Sequence, residues 1–380
     1  MLRLNIRSPT LLSQIIKRTM SSTTESEVIF DCKNAARIIT LNRPKALNAL
    51  NLSMVRQIYP QMKEWMADDK AGLVIIKGAG DKAFCAGGDV LSVIQSAKSG
   101  GNVHKEFFRE EYILNYLIGT YKLPYIALID GITMGGGCGL SIHGKFRVAT
   151  EKTLLAMPET ALGLFPDVGG SYFLPRLPGK LGMFLALTGY RLKGADVFHS
   201  GLGTHYIESK NIAEVENELK SLPKSECNEQ KIDKVLRKFT PKNVPEFSLK
   251  SNLETINTTF NGKSVENIIE KLQAKGDEFS KKQVNELMKM SPTSLKVTYQ
   301  QLMNGSVSNF SSIFTMEHRM TYHFLDGNDF YEGCRAILVD KDRNPKWNPN
   351  KLEDISPEDV NKYFSAVNGV EDLILYESVI

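Results

Sequence analysis

Tyr125-Ile-Ala-Leu-Ile-Asp130, Gly131-Ile-Thr-Met-Gly-Gly-Gly-Cys-Gly139, Phe146-Arg-Val-Ala149 and Met157-Pro-Glu-Thr-Ala-Leu-Gly-Leu-Phe-Pro-Asp-Val-Gly-Gly170 follow one another in the stretch that decides how this chain folds. An apolar strand ends in a run of glycines, where the backbone can approach a ligand more closely than any side chain would allow. If a helix starts at that run, its first N–H groups lack partners within the helix and face whatever fills the gap. Glu159 and Asp167 then fall among glycines and prolines, on turns rather than on a solvated helical face. Free backbone donors beside loop carboxylates suit chemistry at a carbonyl.

Upstream, Leu73-Val-Ile-Ile-Lys77 is a second buried-looking strand; Gly78-Ala-Gly80 closes it, and Phe84-Cys-Ala-Gly-Gly-Asp89 then opens a helix. The order strand, glycine turn, helix thus occurs twice, at 73–98 and 125–143, which predicts an α/β architecture with two backbone-donor corners converging on one point. Val28–Asp31 and Ala36–Leu41 read as short strands, and Leu52, Val55, Ile58, Met62 and Trp65 mark the apolar face of a helix. The aromatic-rich segment 103–121 is helical in pattern, as is 179–203. Leu222–Gln230 and Thr240–Pro245 read as linkers, and 251–330 is mostly helical by periodicity. The expected division is 1–24 as a leader, 25–240 as the α/β core and 241–380 as a mainly helical C-terminal region.

The chain has 380 residues, 42% hydrophobic and 24% charged, ordinary values for a globular protein of one large domain or one domain with an appendage. No run approaches the ~18 apolar residues of a membrane span, so no membrane partner is expected. Arg3, Arg7, Lys17 and Arg18 account for the whole net charge of +4, because residues 1–24 contain no acidic residue. That basic, acid-free, Ser/Thr-bearing leader reads as a mitochondrial transit segment, directing the protein to the matrix. The body is formally neutral and gives no electrostatic footprint for nucleic acid. Cys32, Cys85, Cys138, Cys227 and Cys334 are scattered and odd in number, and the six histidines lack ligand spacing, so neither disulfides nor a metal are expected.

Arg43-Pro-Lys-Ala-Leu-Asn-Ala-Leu50, Phe84–Asp89, Gly131–Gly139 and Met157–Gly163 together resemble the crotonase (enoyl-CoA hydratase/isomerase) superfamily. Phe108-Arg-Glu-Glu-Tyr112, Leu164–Gly170, Phe173-Leu-Pro-Arg176 and Glu332-Gly-Cys-Arg-Ala336 are similar to its branch that hydrolyses short 3-hydroxyacyl-CoA thioesters. The resemblance covers almost the whole chain from about residue 27. It implies a crotonase-like spiral of ββα repeats with a helical C-terminal region, and an acyl-CoA ligand. CoA is then part of substrate and product, and no separate cofactor is implied. The family's oxyanion hole falls on the N–H groups of Gly88 and Gly136. Its acyl-proximal carboxylates fall on Glu159, Asp167 and Glu111, and its CoA contacts on Lys45, Ala46, Leu47 and Ala86. Many members are trimers or dimers of trimers, so a homo-oligomer is compatible with the resemblance, but region 250–380 is longer and differently patterned, and the oligomeric state is not readable from the sequence.

Hydratases of the family carry a second glutamate where this chain has Gly139, and tend to have glycine where it has Asp167. Hydration needs two carboxylates to deliver the oxygen and proton of a water, so the exchange implies hydrolysis instead. A hydratase or isomerase, or a catalytically silent scaffold of the same fold, are the competing readings. Taken alone, Asp167 fits an Asx turn ahead of Gly169, and Glu111 in Arg-Glu-Glu-Tyr fits a solvated helical face. Whether Glu159 attacks the carbonyl, giving a mixed anhydride, or deprotonates a water stays open at this level.

Overall fold

The computed structural model describes residues 26–375; the leader 1–24 lies outside them. The chain begins with an antiparallel pair, β1 (Val28–Lys33) and β2 (Ala36–Leu41), turning at Asn34. It then places successive strand pairs in two different sheets. β3 (Leu73–Gly78), β5 (Tyr125–Ile129) and β7 (Phe146–Ala149) extend the first sheet; β4 (Ala83–Cys85), β6 (Ile132–Met134) and β8 (Leu154–Ala156) build the second. β9 (Leu192–Lys193) closes the smaller sheet antiparallel to β8, and β10 (His205–Tyr206) closes the larger one beside β7. The orders are β1-β2-β3-β5-β7-β10 and β4-β6-β8-β9. Each step from one sheet to the other is a sharp corner. At the β5–β6 corner Gly131 has φ +116, and a Cβ there would stand 2.6 Å from the carbonyl oxygen of Lys82, so only glycine serves. This is the expected spiral of ββα repeats.

The strands of the larger sheet read as continuous apolar runs because both faces are covered. Val74, Ile76, Ala127 and Ile129 face one buried cluster, while Leu73, Ile75, Ile126 and Leu128 face another. The second cluster is closed by the helices Ile212–Ser221 and Glu229–Lys238 through Val215, Leu219, Ile232, Val235 and Leu236. Each such side chain contributes about 1.5–3 kcal/mol on burial. Two readings are corrected here. Leu222–Gln230 is not all linker, because Asn228 caps the helix that begins at Glu229. Nor is 179–203 one helix: Leu181–Thr188 stops at left-handed Gly189 (φ +60), β9 follows, and Gly194 (φ +55) precedes the helix Ala195–His199.

Beyond residue 250 the chain is helical. Ser264, Asp277, Ser291 and Asn309 each cap a helix by accepting a backbone N–H of its first turn. These helices share one apolar cluster with the sheet, running from Val28 to Leu373. The pair Pro292–Val307 and Phe310–Leu325 comes to rest against the turn that carries Asp167 through Gln301 and Glu317, while Thr321 meets Tyr112.

Candidate active site

A cleft of about 740 Å³ opens where the two glycine corners meet. Lys45, Ala46, Leu47, Ala86, Gly88, Glu111, Gly136, Glu159 and Asp167, the nine residues singled out in the sequence, all line it.

The first corner is fixed by a parallel bridge: Leu50 N–H donates to Gly87 O at 2.8 Å, and Asp89 N–H to Leu50 O at 2.7 Å. Asp89 caps the Val90–Lys98 helix and pairs with Arg43 at 3.0 Å. The Gly88 N–H between them has no acceptor among the described residues. The second corner is Gly135 (φ +45), from which the helix Gly136–Ser141 starts, leaving the Gly136 N–H with no intrahelical acceptor. A Cβ on Gly136 would stand 3.2 Å from Gly88 N and 2.5 Å from Glu111 Oε1. The absent side chain is what lets the corners close on each other.

Three carboxylates surround this gap. Glu159 opens the 3₁₀ turn Glu159–Leu162, and its Oε1 lies 2.8 Å from where a Cβ of Gly135 would be. Glu111 reaches in from the helix Val103–Gly119. Asp167 sits on the turn ahead of Val168 (φ +50) and Gly169 (φ +88), and its Oδ2 accepts from the Tyr112 hydroxyl at 2.9 Å. Glu111, Glu159 and Asp167 are only 2%, 5% and 5% exposed. Glu111 Oε1 and Glu159 Oε2 have no hydrogen-bond partner among the described residues. The solvated-face reading of Glu111 is therefore set aside. Its helix turns this position inward, onto Gly136.

Burial first, then mutual repulsion, raises the affinity of these groups for protons. Glu111 is pushed well up by desolvation and by Asp167, Glu159 and Glu317; Glu159 is pushed up by desolvation and then Asp167. Asp167 is raised by burial to about 7, with the Tyr112 hydrogen bond working in the opposite sense. Glu317, behind the Asp167 turn and outside the cleft wall, is raised by burial to about 8. Each of the four carboxyls therefore holds its proton more tightly than a free carboxyl does. Both cysteines beside the glycines are poor nucleophiles, since burial raises Cys85 to about 12 and also raises Cys138. Among the described residues no group of three or more His, Cys, Asp or Glu is placed to hold a metal ion.

At the open end, Leu47 (φ +52) and Asn48 (φ +56) turn the chain tightly. The buried Asn48 amide braces that turn, donating to Ala79 O and Ala83 O and accepting from Arg43 N–H, each at 2.9 Å. Sequence reasoning missed Arg191, Ile337, Leu338 and Lys341, which complete this end from the β9 lead-in and the C-terminal turn Arg335–Val339. Lys45, Arg191 and Lys341 are exposed, and none joins an ion pair among the described residues. Gly139 is not among the residues lining the cleft, and a Cβ there would stand 2.7 Å from Val168 Cβ and 2.8 and 3.0 Å from the buried Asn115 amide.

The enoyl-CoA hydratase/isomerase family model matches residues 36–364. A protein of Danio rerio named 3-hydroxyisobutyryl-CoA hydrolase, mitochondrial, is 52% identical over 365 residues, covering 96% of this chain and 96% of its own. The Homo sapiens protein of the same name is 52% identical over 351 residues, covering 91% and 90%. Among solved structures, a carnitinyl-CoA dehydratase from Mycobacterium thermoresistibile is 34% identical with a TM-score of 0.85, covering 92% of this chain and 98% of that one. An enoyl-CoA hydratase from Rhodobacter sphaeroides is 32% identical with a TM-score of 0.81, covering 90% and 97%.

Proposed function

The chain belongs to the enoyl-CoA hydratase/isomerase family, and we propose that it is an acyl-CoA thioester hydrolase that cleaves 3-hydroxyisobutyryl-CoA, with 3-hydroxypropionyl-CoA as a second substrate. The products are CoA and the free hydroxy acid, a step of valine breakdown. The observation that carries this reading is the placing of Glu159 Oε1 against Gly135, at the head of the turn whose Gly136 closes on Gly88. A thioester carbonyl seated between those two glycines has donors on its oxygen and a carboxylate beside its carbon.

In this mechanism the Gly88 and Gly136 N–H groups take the negative charge that develops on the carbonyl oxygen; each such donor is worth about 2.7–4 kcal/mol. Ionised Glu159 attacks the carbon or removes a proton from the water that does. The C–S bond breaks and the CoA thiolate leaves. Where Glu159 has attacked, a water then hydrolyses the acyl–Glu159 anhydride and frees the carboxylate. In either route the water consumed supplies the proton that the thiolate takes up. Asp167, oriented by Tyr112, and Glu111 face the acyl group and hydrogen-bond its 3-hydroxyl. Lys45, Arg191 and Lys341 meet the CoA phosphates at the open end, with Ala46, Leu47 and Ala86 against the adenine. The relatives at 52% identity are named for this hydrolysis and as mitochondrial; the basic leader 1–24 accords with import into the matrix. The hydratase reading suggested by the names of the solved neighbours meets an obstacle at position 139, where the second carboxylate is absent and a Cβ would crowd Val168 and Asn115. The test is release of free thiol from 3-hydroxyisobutyryl-CoA beside hydration of crotonyl-CoA. Hydration faster than hydrolysis would overturn the assignment.

A further inference from the structure

The Asp167 turn is held from behind by a carboxylate that the proposed chemistry does not use. Glu317 lies on the Phe310–Leu325 helix, is 0% exposed and takes no part in the cleft wall. Its Oε2 accepts the Gly169 N–H at 2.8 Å and its Oε1 the Ser171 N–H at 3.0 Å. On the neighbouring helix, Gln301 Nε2 donates to Pro166 O at 2.6 Å and to Ser171 Oγ at 2.8 Å. The residues between these anchors are strained: Val168 is β-branched yet has φ +50. A left-handed β-branched residue costs on the order of 1–3 kcal/mol and persists only where its surroundings over-determine it. Reversing Val168 would swing Asp167 away from Tyr112 and the gap.

Two backbone N–H groups, one on each oxygen, favour the ionised carboxyl against the rise that burial imposes, and an amide cannot complete the pair. The nitrogen of a glutamine would face an N–H and leave that donor buried and unpaired. Burying an acid on the apolar stripe of a helix, between Phe314 and Thr321, is unfavourable by itself, so its presence there points to a requirement at the turn.

We propose that Glu317 is the positioning residue for Asp167: by holding the N–H groups of Gly169 and Ser171 it keeps the 167–169 turn in the strained conformation that presents Asp167 to the cleft. The kinetic consequence rests on the thioesterase reading, but the clamp itself does not.

Glu317→Gln is expected to lower kcat at least ~10-fold with KM within ~3-fold, since a misplacement of about 1 Å at a reacting centre can cost on the order of a hundredfold. Glu317→Asp keeps the carboxyl group but withdraws it by one methylene, and should fall between Gln and wild type. Arg319→Gln, which breaks the Arg319–Asp372 pair on the same helix, is the control for helix stability and should keep wild-type kcat. Hydrogen exchange at Gly169 and Ser171, followed in the intact protein, should speed up at least ~10-fold in Glu317→Gln. That readout survives even if wild-type protein releases no thiol, a result that would sink the thioesterase reading and leave the clamp to be judged on exchange. Wild-type kcat in Glu317→Gln, or unchanged exchange at the two amides, overturns the proposal. If Glu317→Gln does not fold, wild-type kcat in Glu317→Asp overturns it.

Discussion

Tyr112 and Asp167 stand 55 residues apart in sequence and 2.9 Å apart in space, the phenol hydroxyl donating to Asp167 Oδ2. The same hydroxyl lies 2.7 Å from Thr321 Oγ1, within hydrogen-bond distance. Burial pushes the tyrosine well up, so it remains a neutral donor throughout the working range. Burial raises Asp167 to about 7, and Tyr112 opposes that rise.

Tyr112→Phe therefore removes a bond that favours the ionised aspartate, and Asp167 should protonate at higher pH. A hydrogen bond to a charged group is worth about 1.5–3 kcal/mol, and one pKa unit corresponds to about 1.36 kcal/mol. The acid limb of kcat/KM should move alkaline by ~1 pH unit. A limb that stays in place would show that Asp167 does not need to be ionised.

Glu159→Gln should reduce kcat by ~10³-fold or more while acyl-CoA binding, measured by calorimetry, changes little. The same variant carries a stability signature. Glu159 is raised above its ordinary range on folding. The native state therefore holds that proton more tightly than the unfolded chain does. The stability this gives is present in acid and lost as pH rises through the raised native value. The melting temperature of Glu159→Gln minus that of wild type should accordingly grow from pH 5 to pH 8. A difference independent of pH would mean Glu159 is not desolvated.

Gly139→Glu should fail as a hydratase and also melt early. The Cβ alone meets Val168 at 2.7 Å, and overpacking of this kind typically costs about 1–3 kcal/mol. Because Val168 adjoins Asp167, thioester hydrolysis should fall in Gly139→Ala as well. Efficient crotonyl-CoA hydration by Gly139→Glu would count against the reading.

Isobutyryl-CoA, which lacks the 3-hydroxyl, should be hydrolysed with kcat/KM lower by ~10⁴, as expected where a site built around a hydroxyl is left unpaired. Near-equal values for the two thioesters would remove the roles given to Glu111 and Asp167.

Replacing Arg191 and Lys341 together by alanine should raise KM for the CoA thioester severalfold. KM for the matching pantetheine thioester, which has no adenosine phosphates, should not change. Equal effects on both would place these cations elsewhere in the reaction.

Much of this site was legible because it is built from backbone. The glycine runs at 87–88 and 135–137 announce close approach, and the strands preceding them are long enough to read. β4 and β8 were not, since three residues carry no periodicity. Arg191 and Lys341 are surface cations whose convergence on Lys45 is a property of the folded chain alone. Glu317 did leave a trace: with Ile313, Phe314 and Thr321 it falls on the buried face of its helix, a charge at a core position of the 3.6-residue period. Segment 179–203 misled because its apolar run spans two glycines that need positive φ.

The ties between the 166–171 turn and the helices at 301, 317 and 321 also set an order of events during synthesis. The glycine corners, Glu159 and the Tyr112–Asp167 pair all lie within the first half of the chain, but the bonds that brace the Asp167 turn and Tyr112 from behind come from Gln301, Glu317 and Thr321. A chain that ends before Gln301 would carry the glycine corners, Glu159 and Asp167 without those braces. On the proposed mechanism, the bracing of Asp167 is among the last parts of the site to be synthesised, so the C-terminal region times the site as well as buttressing it.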